Sequence, residues 1–552
     1  MPQAYQDEHH HAQALDSSIV PATKGNRYQN SRAYLMAFIG FMGIFLFGYD
    51  TGLGGGVLAL PTFQSEFGLI DDKGVAVPNL SALQGNIVSV LQGGAFFGAI
   101  FGAPIEDKLG RKIGLMIGCG VFIIGGVIQT ACFGSLDQFY VGRVIAGVGV
   151  GLMSMICPTY ASEIAPKEIR GRITGLFQIV VVVGVAFSFW INYGVSFMTA
   201  ADGAKQWRIP IGFQIVPVGI MMILLPFLKE SPRWLATKHQ EEKALENLAW
   251  IRKVSVNDQN LQLEFAEIQA AIREEEEQTK GASWREIFAK GNPVRFVIAF
   301  VVFTLQQWSG QNSISYYAPI IFKAIGITGS HTSLLASGIY GIVKIVATSV
   351  FIAFGVERFG RKLPLQVGVL LMSICLWIIG AIMFTHVVYS ETTHTWGIPV
   401  TGTTAPSSIG MAVMIYLFVI PYCFSVGPLP WVVCSEIFNN RTRHYGLMTA
   451  AATQWLHNFA VSMATPTMVT KLDKGGIFFF FATINIISLV LTTLFLPETK
   501  GISLEAMDVL FGSTTAEERE QAILNRAKIN HVEEKQEVGH VEDSKRSTDQ
   551  IV

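Results

Sequence analysis

The sequence predicts an all-α membrane protein with twelve transmembrane helices, arranged as two six-helix pseudo-repeats with a cytosolic helical insert between them. The 552-residue chain is 50% hydrophobic and only 15% charged, with a mean hydropathy of +0.42, whereas soluble domains carry roughly 25% charged residues. Charges concentrate in residues 1–33, 229–290 and 499–552. Two hydrophobic blocks, 34–228 and 291–498, lie between these segments, and each divides into six apolar runs.

The same composition argues against several other classes of protein. The net charge is −1, so no basic surface for nucleic acid is expected. The six cysteines are scattered without a CxxC pair and indicate neither a disulfide framework nor a zinc site. The polar loops contain no nucleotide-binding loop, metal-ligand set or nucleophile motif. We therefore expect no enzyme, no cofactor and no resident metal.

The boundaries of the helices follow from each block in chain order. A helix needs roughly 20 predominantly apolar residues to cross the hydrocarbon core, and the apolar runs end at glycine, proline or clusters of charge. The first block predicts helices near 34–60, 84–105, 113–133, 136–158, 173–194 and 208–228. The second predicts helices near 293–321, 333–355, 364–384, 408–430, 444–470 and 476–496.

The insert and the tails have a different character. In the insert, apolar residues recur at helical spacing in 241–252 and again in 261–273, which predicts amphipathic helices. The N-terminal tail is polar, and the segment after Phe511 has the composition of a disordered chain. None of these segments is expected to cross the membrane.

The two hydrophobic blocks repeat each other in order, which indicates duplication of one six-helix unit. A Gly-Arg-Lys motif follows the second helix and again the eighth, and a Ser-Glu pair precedes an arginine after helices 4 and 10. We expect these acids and arginines to form a cytosolic gate that pairs across the halves when that side is shut. The alternative is the ordinary basic charge of cytosolic loops. The predicted gate residues are Asp107, Arg111, Glu163, Arg170, Glu230, Arg233, Glu357, Arg361, Glu436, Arg443 and Glu498.

Lysine and arginine in the short loops set the predicted orientation. The loops after helices 2, 4, 8 and 10 carry eleven of them, against six in the loops after helices 1, 3, 5, 7, 9 and 11. Both termini and the insert are therefore expected in the cytosol, and the plasma membrane is the expected location. Asn79, in the first outer loop, begins an Asn-Leu-Ser sequence and is a candidate for glycosylation.

Several motifs together point to one family. They are Gly48-Tyr49-Asp50-Thr51-Gly52, the Gly-Arg-Lys motifs at 110 and 360, Gly142-Arg143, Glu230-Ser231-Pro232-Arg233-Trp234-Leu235, Gln306-Gln307-Trp308-Ser309-Gly310-Gln311-Asn312 with Tyr316-Tyr317, Gly427-Pro428 to Trp431, and the closing Pro497-Glu498-Thr499-Lys500-Gly501. They resemble the sugar porters of the major facilitator superfamily, specifically fungal monosaccharide transporters of the proton-coupled type. The resemblance implies the major facilitator fold and uptake of a monosaccharide, a hexose or pentose, or of a similar polyol. We expect the transport unit to be a monomer.

Polar side chains deep inside the predicted helices indicate where such a substrate binds. Amides both donate and accept hydrogen bonds, as sugar hydroxyls do, and aromatic rings pack against the apolar face of a sugar. The alternative is that amides in membrane helices join neighbouring helices. With the family resemblance, the predicted substrate-binding residues are Phe47, Gln178, Gln306, Gln307, Asn312, Tyr316, Tyr317, Lys344, Trp431, Gln454, Trp455 and Asn458.

Asp50 is the candidate proton-binding group. It lies sixteen residues past Tyr34, roughly 24 Å into the membrane, where a carboxylate is costly and needs a partner. Arg143 in the fourth helix is the expected partner. The resemblance implies that Asp50 binds the coupled proton and that Arg143 tunes its protonation. The alternative is a permanent structural pair.

Lys344 departs from the pattern of many sugar porters, which have an asparagine nearby. It lies roughly 20 Å from the cytosolic end of the eighth helix, where an ammonium is costly unless it is paired. One explanation is a carboxylate on the substrate, which favours an acidic ring such as quinate or galacturonate. The other is a pairing with a protein acid or carbonyl. In the fifth helix, Val181 and Val185 occupy a region where some relatives have a second glutamine.

Two further functions share most of these residues. A passive sugar facilitator differs only in the role of Asp50, so only an assay of concentrative uptake separates it from a symporter. A transporter-like sugar sensor is expected to have a long C-terminal extension, and residues 499–552 make a short one.

Overall fold

The computed structural model describes residues 30–71, 75–199, 202–280, 284–289, 291–327, 329–354, 360–390, 395–398, 405–439, 441–500, 507, 510 and 511. Within these residues the protein is a bundle of long helices with one short β-hairpin. Most of both predicted tails lies outside the described residues.

The first hydrophobic block folds into six spans, as its apolar runs predict. Its helices are α1 (Ser31–Leu58), α2 (Pro61–Glu66), α3 (Leu80–Leu109), α4 (Arg111–Thr130), α5 (Leu136–Ile164), α6 (Lys167–Ser196), α7 (Lys205–Phe213) and α8 (Ile215–Leu224). The short α2 lies in the first loop. The sixth span, Lys205–Phe227, consists of α7, α8 and a final 3₁₀ turn.

Three helices form the insert, in agreement with its periodicity: α9 (Pro232–Thr237), α10 (Glu241–Arg252) and α11 (Gln259–Thr279), followed by a 3₁₀ turn at Trp284–Phe288. They pack on one another through Leu248, Leu261 and Phe265. We call the end of the bundle that they contact the linker side, and the other end the outer side.

The linker helices contact both halves of the bundle. Arg252 donates to the carbonyl of Ile164 at the end of α5, at 2.9 Å. Arg441, on the loop before α19 of the second block, donates to a carboxylate oxygen of Glu286 at 2.9 Å and to the carbonyl of Gln278 at 2.9 Å. The insert therefore bridges the two hydrophobic blocks on the linker side.

The second hydrophobic block folds into α12 (Asn292–Gln307), α13 (Gln311–Tyr316), α14 (Ala318–Ala324), α15 (Ser330–Phe354), α16 (Lys362–His386), α17 (Pro406–Phe424), α18 (Leu429–Ile437), α19 (Arg443–Lys471) and α20 (Gly476–Phe495). An antiparallel hairpin, β1 (Val388–Ser390) and β2 (Thr395–Gly397), lies between α16 and α17 and pairs Tyr389 with Trp396. The sequence does not predict this hairpin.

Among the described residues, ten helices are long and apolar enough to span a bilayer. The predicted seventh span is missing from these ten because it is divided into α12, α13 and α14, with Gly310 at φ +94° between the first two. The predicted eleventh span is α19, a 29-residue helix that carries Gln454, His457 and Asn458 and is less apolar. Apart from the short hairpin, the prediction of an all-α, multi-span membrane fold is confirmed.

Small residues bring α3 and α5 into close contact. A Cβ on Gly98 would lie 2.2 Å from the carbonyl oxygen of Val148, and one on Gly151 would lie 2.2 Å from that of Ala95. Stripes of small residues let membrane helices approach closely in this way. The close approach places the side chain of Arg143 against the backbone of α3.

The sequence repeat is also a repeat of contacts on the linker side. Arg111 pairs with Glu163 at 2.8 Å in the first block, and Arg361 pairs with Glu436 at 2.7 Å in the second. Glu230 accepts from the backbone N–H of Lys112 at 3.0 Å, and Glu498 accepts from that of Lys362 at 3.0 Å. The repeated acids thus receive the N-terminal N–H groups of α4 and α16, where negative charge is favourable.

The two carboxyl groups nevertheless differ in their protonation. Burial raises the pKa of Glu230, and hydrogen bonds from N–H groups, including that of Lys112, only partly offset this effect. Glu498 is more exposed. Burial raises its pKa, but the N–H groups of Arg361, Lys362, Lys500 and Thr499 together outweigh that effect and hold the pKa below its usual value. Glu498 therefore stays ionised to lower pH than Glu230.

Candidate substrate cavity and proton site

A cavity of about 360 Å³ lies between the two halves. It reaches the linker side, because Ala161 near the end of α5, Ser435 near the end of α18 and Leu447 near the start of α19 line it. Toward the outer side it ends at the level of Thr51 and Tyr316. The structure therefore holds the cavity open on the linker side and closed on the outer side.

Eleven of the twelve predicted substrate-binding residues line this cavity. They are Phe47, Gln178, Gln306, Gln307, Asn312, Tyr316, Lys344, Trp431, Gln454, Trp455 and Asn458. Val181 and Val185 also line it, so the region where some relatives carry a second glutamine has an apolar wall here. Tyr317 is buried elsewhere.

The break between α12 and α13 positions a chain of amides along one wall. Gln306 donates to the carbonyls of Val426 and Gly427 at 2.8 and 3.0 Å. Gln307 donates to the side-chain oxygen of Gln306 at 3.2 Å, and Asn312 donates to that of Gln307. Because each amide orients the next, their remaining groups face the cavity in a fixed arrangement.

The opposite part of the wall comes from α19. The side-chain oxygens of Gln454 and Asn458 are buried and have no hydrogen-bond partner among the described residues. Such orphan acceptors are costly unless a ligand satisfies them. The indole of Trp455 meets the ring of Phe47 edge-to-face, with centroids 5.1 Å apart, and this contact joins α19 to α1 across the halves.

Asp50 and Arg143 form the predicted pair, with 2.6 Å between the carboxylate and guanidinium. Both residues are almost fully buried, at 4% and 1% exposure. Arg143 also donates to the carbonyls of Ile87 and Val88, at 3.1 and 3.3 Å. The guanidinium therefore retains polar partners if the carboxylate is neutralised, whereas the carboxylate has Arg143 as its charged partner.

Tyr316 connects this pair to the cavity. With the Gln92 amide turned to the orientation that satisfies both its oxygen and its nitrogen, the hydroxyl of Tyr316 donates to the Gln92 oxygen at 3.2 Å. The same hydroxyl is also within hydrogen-bonding contact of Thr51 and Asn458. Thr51 is the residue after Asp50, and both Thr51 and Asn458 line the cavity. Protonation of Asp50, or a ligand bound at the cavity wall, therefore changes the hydrogen bonds of the Tyr316 hydroxyl.

Tyr317 belongs to the outer closure. Its hydroxyl donates to the carbonyl of Ser462 at 2.7 Å and to that of Gln84 in the other half at 3.4 Å. At the same level α1 contacts the second half so closely that a Cβ on Gly55 would lie 2.0 Å from the carbonyl oxygen of Tyr316. The neighbouring tyrosines thus have different positions, one at the cavity and one in the closure.

The predicted gate residues that the structure describes lie on the linker side, and their described pairs lie within one half, within the insert, or between the insert and one half. The carbonyl of Asp107 accepts from Trp234, and Arg170 donates to the carbonyl of Ala165 at 3.4 Å. Arg233 pairs with Glu275 of the insert at 2.8 Å. The predicted gate also includes Arg443, whose Nε is buried without a partner among the described residues, and Glu357, which lies outside the described residues. Pairing across the halves in a closed state stays a prediction.

The sequence missed several cavity residues. Among them are Thr51, Ser154, Thr159, Phe177 and Tyr422. Thr51 follows the conspicuous Asp50, and Tyr422 is a polar aromatic residue inside an apolar span, so each left a weak signal. Ser154, Thr159 and Phe177 are ordinary residues of membrane helices and left none.

A family model described as "Sugar (and other) transporter" matches residues 36–511. The chain belongs to this sugar transporter family. The family consists of membrane transporters, which confirms that the protein is no enzyme. The chain is 38% identical over 488 residues to a probable quinate permease of Aspergillus clavatus, covering 87% of this chain and 88% of the relative. It is 36% identical over 514 residues to a quinate permease of Neurospora africana, covering 92% and 94%.

Solved structures of the family have the same architecture. The proton:xylose symporter XylE of the major facilitator superfamily, bound to 6-bromo-6-deoxy-D-glucose, matches with a TM-score of 0.70 and 27% identity, covering 88% of this chain and 100% of that one. The inward-open conformation of XylE from E. coli matches with a TM-score of 0.70 and 26% identity, covering 87% and 99%. The predicted fold and family are confirmed.

Proposed function

We propose that the protein imports a polyhydroxylated ring of monosaccharide size together with protons, by exposing the cavity alternately to the two sides of the membrane. The observation that carries this proposal is the position of the buried Asp50–Arg143 pair beside the cavity. Asp50 is adjacent in sequence to Thr51, which lines the cavity and contacts the hydroxyl of Tyr316. The structural likeness to a proton:xylose symporter supports it.

The coupling follows from the contacts of the pair. A proton on Asp50 removes the negative charge that holds Arg143, which keeps its bonds to the α3 carbonyls. The freed carboxyl group then alters the hydrogen bonds around Tyr316, which lies at the junction of α13 and α14 where the outer side closes. Proton binding and substrate binding therefore both favour the state in which the outer side is closed.

Two substrate classes fit the amide-lined cavity. One is a neutral monosaccharide, as expected for the family. The second is a hydroxylated ring acid, which the quinate permeases at 36–39% identity favour. In either case we propose that the linker side and both termini face the cytosol of a cell whose plasma membrane holds the protein. Asn79, exposed at the outer end of α3, would then be accessible to glycosylation.

Uptake in a yeast strain that lacks hexose carriers tests the proposal. Labelled hexoses, pentoses, polyols and ring acids are supplied while external pH is recorded. We expect accumulation above the external concentration and alkalinisation of the medium, both abolished by an uncoupler. Asp50→Asn is expected to lose accumulation but to keep exchange of labelled for unlabelled substrate, while the exposed Asp137→Asn in α5 behaves as the wild type.

Each contrary result has a distinct meaning. Uptake by the wild type that stops at equal concentrations indicates a passive facilitator. Accumulation that is unchanged in Asp50→Asn removes Asp50 from the coupling. If no ring compound is taken up while the protein is present at the cell surface, the proposed function itself is wrong, and a role as a sensor becomes the better explanation.

A further inference from the structure

Lys344 enters the cavity from α15 and is only 7% exposed. Its ammonium donates to the hydroxyl of Ser315 at 3.3 Å and lies 5.9 Å from the centre of the Tyr422 ring. Among the described residues, no carboxylate lies within salt-bridge distance of it. The buried acid of the other half, Asp50, is already paired with Arg143. Lys344 is therefore a buried cation without a counter-ion in the part of the chain that the structure describes.

The polar groups around Lys344 do not replace that counter-ion. Ser315 accepts hydrogen bonds from Lys344 and from the amide of Gln311 at 2.9 Å, and its hydroxyl contacts that of Tyr340 at 3.1 Å. Gln311 also donates to Tyr340. This cluster offers Lys344 one hydroxyl oxygen, whereas an ammonium has three hydrogens to donate. Two of them remain for a partner in the cavity.

The cluster also fixes the position of the ammonium. Ser315, Gln311 and Tyr340 are fully buried, and they hold one another by hydrogen bonds that leave little freedom to the side chains. A buried ammonium is costly when nothing compensates its charge. A preorganised cation at the wall of a substrate cavity is the arrangement that recognises an anion.

We propose that Lys344 binds a carboxylate of the substrate, so that the transported ring is a polyhydroxylated ring acid. This inference rests on the proposed function, since it names the substrate class of the same cavity. The hydroxyls of the ring meet the amides of Gln306, Gln307 and Asn312 and the open oxygens of Gln454 and Asn458. The carboxylate supplies the negative charge that the described residues do not place beside Lys344.

The test compares quinate with its methyl ester, which has no charge and one additional methyl group, in cells that express the full-length protein. Three variants are needed: Lys344→Gln, which removes the charge, Lys344→Arg, which keeps it, and Lys323→Gln. Lys323 lies at the end of α14 outside the cavity lining and is the matched control. The amount of each variant at the cell surface is measured in parallel.

We expect Lys344→Gln to reduce quinate uptake per molecule about tenfold or more, because a hydrogen bond to a charged group is lost. Uptake of the methyl ester is expected to stay within about threefold, since the ester has no negative charge and its uptake does not depend on a charge-assisted hydrogen bond from Lys344. Lys344→Arg retains most of the quinate uptake, and Lys323→Gln is unchanged.

Two outcomes with the variants overturn the inference. In the first, Lys344→Gln leaves quinate uptake unchanged. In the second, Lys344→Gln and Lys344→Arg lose uptake of both probes equally, which marks a purely structural lysine. The proposed function is judged separately: a wild-type protein that accumulates neutral sugars but no ring acid contradicts the role of Lys344 and leaves ring import standing, whereas a protein that takes up neither class contradicts both.

Discussion

The outer closure depends on the absence of a side chain at Gly55, and this gives the sharpest prediction. A Cβ at this position would lie 2.0 Å from the carbonyl oxygen of Tyr316 and 2.9 Å from its carbonyl carbon. A comfortable C···O contact is about 3.3–3.6 Å, so in Gly55→Ala α1 and α13 must separate by roughly 1.3 Å or more. The carbonyl oxygen and carbon of Tyr316 are backbone atoms of a packed helix, so no flexible side chain can move aside to relieve the overlap.

The magnitude follows from the cost of overpacking. Inserting a methyl group into a well-packed contact costs about 1–3 kcal/mol. This cost applies to the state with the outer side closed, because α1 and the segment at Tyr316 come from different halves and separate when that side opens. The equilibrium is therefore expected to shift toward the outer-open state by about 5- to 150-fold.

Cysteine labelling measures this shift. Ser462→Cys places a thiol in the outer closure, where Ser462 is fully buried and its carbonyl accepts from Tyr317. A membrane-impermeant maleimide is expected to label Ser462→Cys faster in the Gly55→Ala background, against the baseline of the six native cysteines. Gly219→Ala, where a Cβ meets nothing within 4 Å, is the control. An unchanged or slower rate in the Gly55→Ala protein would refute the reasoning.

Three further predictions follow from the same contacts. Tyr317→Phe removes the hydroxyl that donates to the carbonyl of Ser462 and, across the halves, to that of Gln84. The loss of about 1 kcal/mol should raise labelling in the outer closure about fivefold, and no rise contradicts the closing role of Tyr317. Gly110→Ala should reduce the free energy of unfolding by about 1–3 kcal/mol, because the backbone angles φ +91° and ψ 168° suit glycine alone. Gly120→Ala is the control, because its Cβ would meet no atom within 4 Å, and equal melting temperatures of the two variants would show that the turn at Gly110 tolerates a side chain. A ring acid of charge −1 that enters with one proton carries no net charge, so its import into proteoliposomes should be insensitive to membrane potential, whereas import of a neutral ring with one proton should respond to it. A potential-dependent flux of the acid contradicts this charge balance.

The helices were predictable because lipid constrains each segment separately. A chain in the hydrocarbon core must satisfy its backbone hydrogen bonds within the segment, so length and apolar content locate most spans to within a few residues. The exception is the seventh span, which the sequence predicted as one run of 293–321. Its break at Gly310 and the second break near Tyr317 place polar residues at the cavity, and these features depend on contacts with α20 and α1 rather than on hydropathy.

The cavity residues were predictable as a set but not in their roles. Buried amides and rings in apolar helices have few reasons to be there, so eleven of the twelve predicted substrate-binding residues line the cavity. Tyr316 and Tyr317 are adjacent and chemically identical, and the sequence treats them alike. The kink between α13 and α14 points one toward the cavity and the other into the outer closure.

The sequence by itself determined the membrane fold, the duplicated halves, the family and the polar residues that had to be explained, because each of these depends on local composition or on motifs repeated along the chain. The tertiary structure decided which of these residues share a partner. Asp50 on α1 and Arg143 on α5 are 93 residues apart and meet because these two helices pack against each other. Lys344 receives no such partner among the described residues. The physical reason is that a charge inside a membrane protein acquires its role from the groups that packing places around it, and those groups come from distant helices.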